Sequence, residues 1–410
     1  MLQNTVMSSP PSKTEDRFGS DLLKVLVGQT VSVTGDQFGA MALSILILQY
    51  TGSAMAMSMN AVLSLLPTLL FGPTAGLMLD RLNRKRVLVI VDVARALLTL
   101  GMGWIIFAGR FSLALANTWS VLTSLLKVLY VPGTMALIPA LVPPGELQRA
   151  NALQSFGNSI AVIFGPGLAG LVIKHLGPWY AFAINAISFG VSASAISLAK
   201  VRYDEMPVKT GRPKMSELRD GFLFFRSVPL ASMLLVTTMV INACNQPSGI
   251  ALNVHILRTF RSDAVYLGGI ASASAAASLV SSLVVASRKR WSRLGLMVSG
   301  AVAVTGLAFG IASVTPWLSM VVVAFLLRGF AGPMLNTAVQ TLYQDITPPD
   351  IRGRVFALRV SFSQFLSPIS FAVSGVLLDG FGSRAVFAGL AILLLILSGI
   401  LVTRKEIRDV

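Results

Sequence analysis

The sequence predicts an all-α membrane protein with twelve transmembrane helices in two six-helix pseudo-symmetric halves. Three observations predict it. Only 12% of the 410 residues are charged and 54% are hydrophobic, where a soluble domain carries about 25% charged residues. Apolar runs of about 20 residues recur along the chain, each long enough to cross a hydrocarbon core of ~30 Å. Lipid offers no hydrogen-bond partners, so such runs close their backbone bonds internally as helices. Finally, the chain repeats itself: PPGELQRANAL (143–153) resembles PPDIRGRVFAL (348–358), and at the same offset Arg149 matches Arg354, Gly170 matches Gly375 and Gly177 matches Gly382. Upstream, LLKVLYVP (125–132) resembles LLRGFAGP (326–333). Two halves repeated in parallel are one architecture of secondary transporters.

Taken in order, the first half reads as spans near 22–48, 55–79, 87–108, 112–141, 150–174 and 178–199. The second reads as spans near 229–257, 264–287, 294–313, 317–342, 354–378 and 383–403. Residues 1–21 and 404–410 are polar tails, and 200–228 is the longest polar linker. Within that linker, Ser216 to Phe225 has a capping serine and one apolar face, the pattern of a helix lying on the membrane surface. Lys and Arg concentrate in the even-to-odd connections and in both tails, which places both termini in the cytoplasm and requires an even number of spans. The N-terminal tail lacks the apolar core of a signal peptide.

The composition argues against other classes. The net charge of +16 sits in short loops, where it sets topology rather than marking a nucleic-acid surface. Cys244 is the single cysteine, and His175 and His255 are far apart with no ligand partners at metal spacing. No cofactor or metal is expected. GPGLAG (165–170) fits a dinucleotide fingerprint by letters alone, but it lies inside an apolar span without the strand that motif requires.

GLMLDRLNRKR (76–86) carries a small residue, then Asp-Arg and a basic run, between the second and third spans. Here the chain resembles the major facilitator superfamily. SVTGD (32–36), the region around Arg149 and RGRVFALR (352–359) resemble its drug-efflux branch, which includes macrolide efflux proteins and the enterobactin exporter. The resemblance implies a cytoplasmic gate motif at Gly72, Gly76, Asp80, Arg81, Arg84 and Lys85. Gly72 and Gly76 would let the eleventh helix approach, and Asp80 would latch the halves near Arg354 while the cavity faces outward. Gly157, Gly165, Pro166 and Gly170 resemble the family's antiporter signature in the fifth span, although Ala161 stands where that signature has an early glycine. Close packing of small residues explains the same letters. In the matching loop of the second half, Val285 falls where Asp80 would be, so the aspartate belongs to the first half alone.

Ionisable residues at membrane depth are costly and mark function by default. Asp36 lies mid-span beside Gln37. A carboxylate there can exchange a proton and alternate between proton and cationic substrate; it can equally form a structural pair with a base on a neighbouring span. Lys127 and Arg328 occupy equivalent places, each five residues before a proline. The superfamily carries an arginine where Lys127 stands. These two can move protons, meet anionic groups of a substrate, or simply pair with carboxylates or carbonyls. Asp92 and Arg95 read as a local i,i+3 pair. Asn242, Asn245 and Gln246 could face a cavity where Pro247 and Gly249 interrupt the seventh span.

The expectation is therefore a transporter rather than an enzyme, since no nucleophile, base or nucleotide loop is present. It would be a monomer in the inner or plasma membrane, exporting amphipathic or hydrophobic small molecules in exchange for protons, with the proton gradient as energy source. A dedicated exporter of one metabolite, such as a siderophore, is the alternative within that class. A non-transporting sensor or scaffold is the alternative outside it.

Overall fold

In a computed structural model of the chain, the described residues are 15–79, 82–143, 146–200, 222–288, 291, 293–348 and 351–408. Among them the first half contains α1 (Glu15–Thr51), α2 (Ala54–Leu79), α3 (Arg84–Phe107), α4 (Leu113–Leu137), α5 (Leu147–His175) and α6 (Pro178–Leu198). The second contains α7 (Pro229–Val254), α8 (Ala264–Ser287), α9 (Leu294–Val314), α10 (Leu318–Ile346), α11 (Arg352–Ser363), α12 (Ser367–Thr403) and α13 (Lys405–Arg408). No strand occurs among the described residues.

Local chemistry sets the helix starts. Asn83 accepts from the Arg86 amide, Ser112 from Leu115 and Asp263 from Val265, each satisfying an orphan donor of a first turn. Pro178 begins α6 directly after Gly177, where its missing N–H costs nothing.

Among the described residues, ten helices are long and apolar enough to cross a membrane. The expected twelve needs two more crossings. Pro229–Val254 is long enough at 26 residues, but Asn242, Asn245 and Gln246 dilute its hydropathy. Arg354–Thr403 counts as one segment of 50 residues, about 75 Å as a helix, well over twice the core thickness. It is broken at Gly382 (φ 78°, ψ 171°), a conformation that glycine adopts without a Cβ clash. Its repeat partner Gly177 also has positive φ, 98°, and separates α5 from α6. Matched glycines thus make matched turns.

Three boundaries depart from the sequence reading. The first helix begins at Glu15, inside the stretch read as a tail. Most of the expected surface helix lies outside the described residues; its last part is helical at 222–227, and there Phe224 and Phe225 are buried, with Phe225 edge-on to Tyr343 of α10. Its apolar face thus packs on protein. The C-terminal segment turns back as α13 and buries Ile407 completely, its backbone lying against Gly295 at the start of α9.

Successive membrane crossings run in opposite directions, so one end of the bundle carries the start of α1 and the end of α12, and the other carries the α1–α2, α3–α4, α5–α6, α7–α8 and α9–α10 connections and the Gly382 turn within α12. We call these the terminal end and the far end. The halves meet chiefly through α5 against α8 and α2 against α12. Both seams are built on small residues. A Cβ on Gly170 would strike the Ala264 carbonyl, one on Gly268 the Pro166 carbonyl, and one on Gly375 the backbone of Met55 and the side chain of Ser58. Gly170→Val should therefore force the first seam apart, costing about 1–3 kcal/mol as overpacking does. A clearly lowered thermal unfolding midpoint of the purified protein is the expected result, while Gly101→Val, at an exposed position with open space around it, should leave the midpoint in place.

Candidate functional site

Asp36 stands on α1 at the wall of a cavity of about 500 Å³ between the halves. Gln37, Asn60, Trp119 and Lys127 line it from the first half and Ile250 of α7 from the second. One amino group of Arg95 on α3 straddles both Asp36 carboxylate oxygens, at 2.8 and 3.1 Å. Lys127 Nζ reaches Asp36 Oδ2 at 3.3 Å from α4. The other amino group of Arg95 is 3.8 Å from Asp92, which is fully buried. The Arg95 guanidinium also lies 4.0 Å from the centre of the Phe189 ring on α6, a cation–π contact that orients it.

The site is thus two carboxylates and two cations sharing one guanidinium. The i,i+3 pair of Asp92 and Arg95 exists, but the closer partner of Arg95 is Asp36, 59 residues away in sequence. Exposure differs along the cluster. The Arg95 side chain is 4% exposed, Asp36 25% and Lys127 52%; all three line the cavity, with the arginine the most deeply packed.

The second-half candidates assemble elsewhere. Arg328 Nε donates to Asn245 Oδ1 at 3.1 Å. Asn242 Nδ2 donates to the Ser363 carbonyl at 3.0 Å, and Gln246 Nε2 to Gln364 Oε1 at 3.2 Å. Both brace the break between α11 and α12. The helix interruption expected at Pro247 and Gly249 does not occur: α7 runs through both to Val254, then loosens into a π turn over His255–Thr259. The interruption lies instead at the α11–α12 break, where side chains of α7 satisfy the freed backbone, as membrane helices require.

Of the expected gate motif, Asp80 and Arg81 lie outside the described residues. Gly76 is helical and Gly72 has open space where a Cβ would go, so no helix approaches it closely here. Arg84 opens α3, and Lys85 Nζ donates to the Ala199 carbonyl at the end of α6 at 2.8 Å. In α5, Gly157 packs on Thr30 and Gly165 on Gln37 of α1, while Gly170 faces α8 across the seam. The motif therefore gives α5 two close neighbours, one in each half, and Pro166 sits at the α8 crossing.

The sequence reading missed a latch at the far end. Asp379 of α12 accepts from the Ala54 amide at 2.8 Å, the Met55 amide at 2.9 Å and Ser53 Oγ at 2.7 Å, holding the first turn of α2. Arg258 pairs with the same carboxylate at 3.2 Å and donates to the Gly52 carbonyl. Lys174 pairs with Asp263 at 2.8 Å beside the α5–α8 seam, and the Gly167 amide donates to Ser272 Oγ at 3.0 Å. Every hydrogen bond or ion pair described between the halves lies towards this end.

This fold, a charge cluster on an inter-half cavity and a latch at one end define a secondary transporter. The Major Facilitator Superfamily model matches residues 25–369 and 248–409, and the chain belongs to that family, one of transporters rather than enzymes. It is 26% identical to the uncharacterised MFS-type transporter YfiS of Bacillus subtilis (95% of this chain, 94% of that one). It is 25% identical to macrolide efflux protein A of Streptococcus pyogenes (87% and 89%) and 26% identical to the multidrug efflux pump Tap of Mycolicibacterium fortuitum (95% and 96%). Among solved structures, a bacterial homologue of the iron transporter ferroportin in an inward-facing state superposes with a TM-score of 0.70 at 17% identity (94% and 99%), and the nucleoside transporter NupG with 0.69 at 15% (92% and 98%).

Two predictions follow from the latch. Hydrogen bonds to a charged group are each worth about 1.5–3 kcal/mol, so Asp379→Asn should shift the closed far end towards opening by roughly tenfold or more. With Cys244 replaced by alanine and a reporter cysteine at Ser58, which is fully buried in the α2–α12 seam, labelling by a membrane-impermeant maleimide should rise accordingly. The second concerns acid. The hydrogen bond from Lys174 holds the Asp263 carboxyl below the usual carboxylate range, so its contribution is present above the unfolded value near ~3.9 and is lost only as pH falls through the lower folded value. Reporter labelling, taken as the ratio to a fully exposed control cysteine at each pH because the thiolate is the reacting form, should stay flat from pH 8 to about pH 5 in the parent and in Asp263→Asn alike; a step within that window that Asp263→Asn abolishes would contradict the assignment.

Proposed function

We propose that the chain is a proton-coupled exporter of amphipathic or hydrophobic compounds that works by alternating access. The observation that carries this reading is Asp36, a carboxylate on the cavity wall held by Arg95 and Lys127. A proton placed on Asp36 cancels its attraction for both cations. Arg95 then turns to Asp92, already 3.8 Å away, and the Lys127 ammonium is released into the cavity. Protonation thereby uncouples α1 from α3 and α4 and changes the charge that a bound compound meets.

The basic residues of the even-numbered loops and both tails support a cytoplasmic terminal end in an inner or plasma membrane. The latched far end supports loading of the compound from the cytoplasmic side. The similarity to macrolide and multidrug efflux pumps supports the direction and breadth of transport. The protein would act as a monomer, with the lipid bilayer as its solvent and no cofactor.

Reconstitution in liposomes with an internal pH dye tests the coupling. Addition of members of a panel of amphipathic compounds, cationic, neutral and anionic, should move protons in the parent for those that are carried. Asp36→Asn should cut that movement by at least about tenfold, equivalent to ~1.4 kcal/mol, in protein that still unfolds in one cooperative transition. Undiminished proton movement in Asp36→Asn would reject Asp36 as carrier.

A further inference from the structure

The charges buried between the two ends are not balanced, and the imbalance lies in one half. In the first half, Asp36 and Asp92 face Arg95 and Lys127. In the second, Arg328 and Arg359 are embedded, and no carboxylate among the described residues forms an ion pair with either. The second-half carboxylate Asp379 is committed to the far-end latch. Arg359 is stacked between Tyr343 and Phe356, at 5.2 and 5.3 Å, with Nη1 sealed in protein. Arg328 differs. Its Nε is fixed by Asn245, and the guanidinium lies 5.6 Å from the centre of the Phe325 ring. Its two terminal amino groups bond to no described residue and, unlike those of Arg359, neither is sealed. The repeat pairs Arg328 with Lys127; Arg328 itself stands outside the lining of the 500 Å³ cavity, to which α7, the helix that holds it through Asn245, contributes Ile250.

An oriented guanidinium with two open parallel donors, seated on a ring in low dielectric, is built for a planar or tetrahedral oxyanion. Holding an unpaired cation at this depth is costly, and an incoming anion relieves that cost. We infer that the compound carried by this protein has an anionic group (carboxylate, sulfonate or phosphate) received by Arg328, with an apolar body lying towards Trp119 and Ile250. This rests on the transporter reading above and narrows its substrate class.

The test uses one apolar body carrying three charges: 1-pyrenebutyrate, its methyl ester and 1-pyrenebutylamine. Binding to the full chain in phosphatidylcholine nanodiscs is read by energy transfer from Trp119, taken as the difference from Trp119→Phe. The carboxylate should bind about tenfold or more tighter than the ester, and the amine weakest. Arg328→Gln should bring the carboxylate to within about twofold of the ester, with ester affinity unchanged as the measure of an intact cavity. Arg328→Lys, which keeps the charge, should retain most of the preference. Equal binding of the three compounds, tighter binding of the amine, no binding of any, or a preference that survives Arg328→Gln would overturn the inference. Adding phosphatidylglycerol should not compete; loss of carboxylate binding on its addition would assign Arg328 to a lipid headgroup and also overturn it. The transport reading fails separately, by absence of substrate-driven proton movement in liposomes, so the two failures are distinguishable.

Discussion

A carboxylate in the middle of a bilayer must be held by opposite charge, and the first half is arranged around meeting that demand for Asp36. The three helices that contribute charge, α1, α3 and α4, are kept in register by Arg95 and Lys127, while α6 supplies Phe189 as the surface on which the guanidinium rests. Removing one member of such a cluster leaves an uncompensated charge, which typically costs about 3–5 kcal/mol. The cluster is stable as a set, because each charge in it stands against its opposite. A protein that needed only rigidity would do better with apolar side chains in the same volume.

The two ends of the molecule use different chemistry. The far end is closed by directional bonds to backbone at the start of α2 and by glycine-to-carbonyl contacts at the seams. Both are short-ranged and are lost over a small separation. Opening is therefore a two-state event rather than a gradual one, because packed interfaces do not stretch continuously. At the terminal end, helix ends are tied within their own halves: Lys85 to the end of α6, and Ile407 beneath α9. Those ties let each half move as a body.

The fold was largely legible because hydropathy and charge asymmetry are properties of segments, and a segment's meaning survives without neighbours. Asp36 was legible for the same reason, since depth alone makes it costly. Its partner was not. Arg95 sits three residues from Asp92, and local spacing favours that pair; only the tertiary arrangement brings α1 against α3. The latch was harder still. Asp379 and Arg258 lie at helix ends, where a charge is unremarkable, and their importance comes from meeting across the halves. Pro247 misled in the opposite direction, for a proline within a helix breaks it only if nothing else satisfies the freed carbonyl.

The matched glycines Gly170 and Gly375 carry one more consequence. The first lies where the fifth span meets the second span of the other half, and the second lies where that relation is reversed. Residue i touches j, and j's counterpart touches i's: this is the isologous geometry of a two-fold dimer, enclosed within one polypeptide. The two seams are thus one contact made twice, and a single rigid rotation about an axis perpendicular to that two-fold must load or relieve both together. The duplication thus gives the molecule a hinge with two equal leaves, in which neither half is the stationary one.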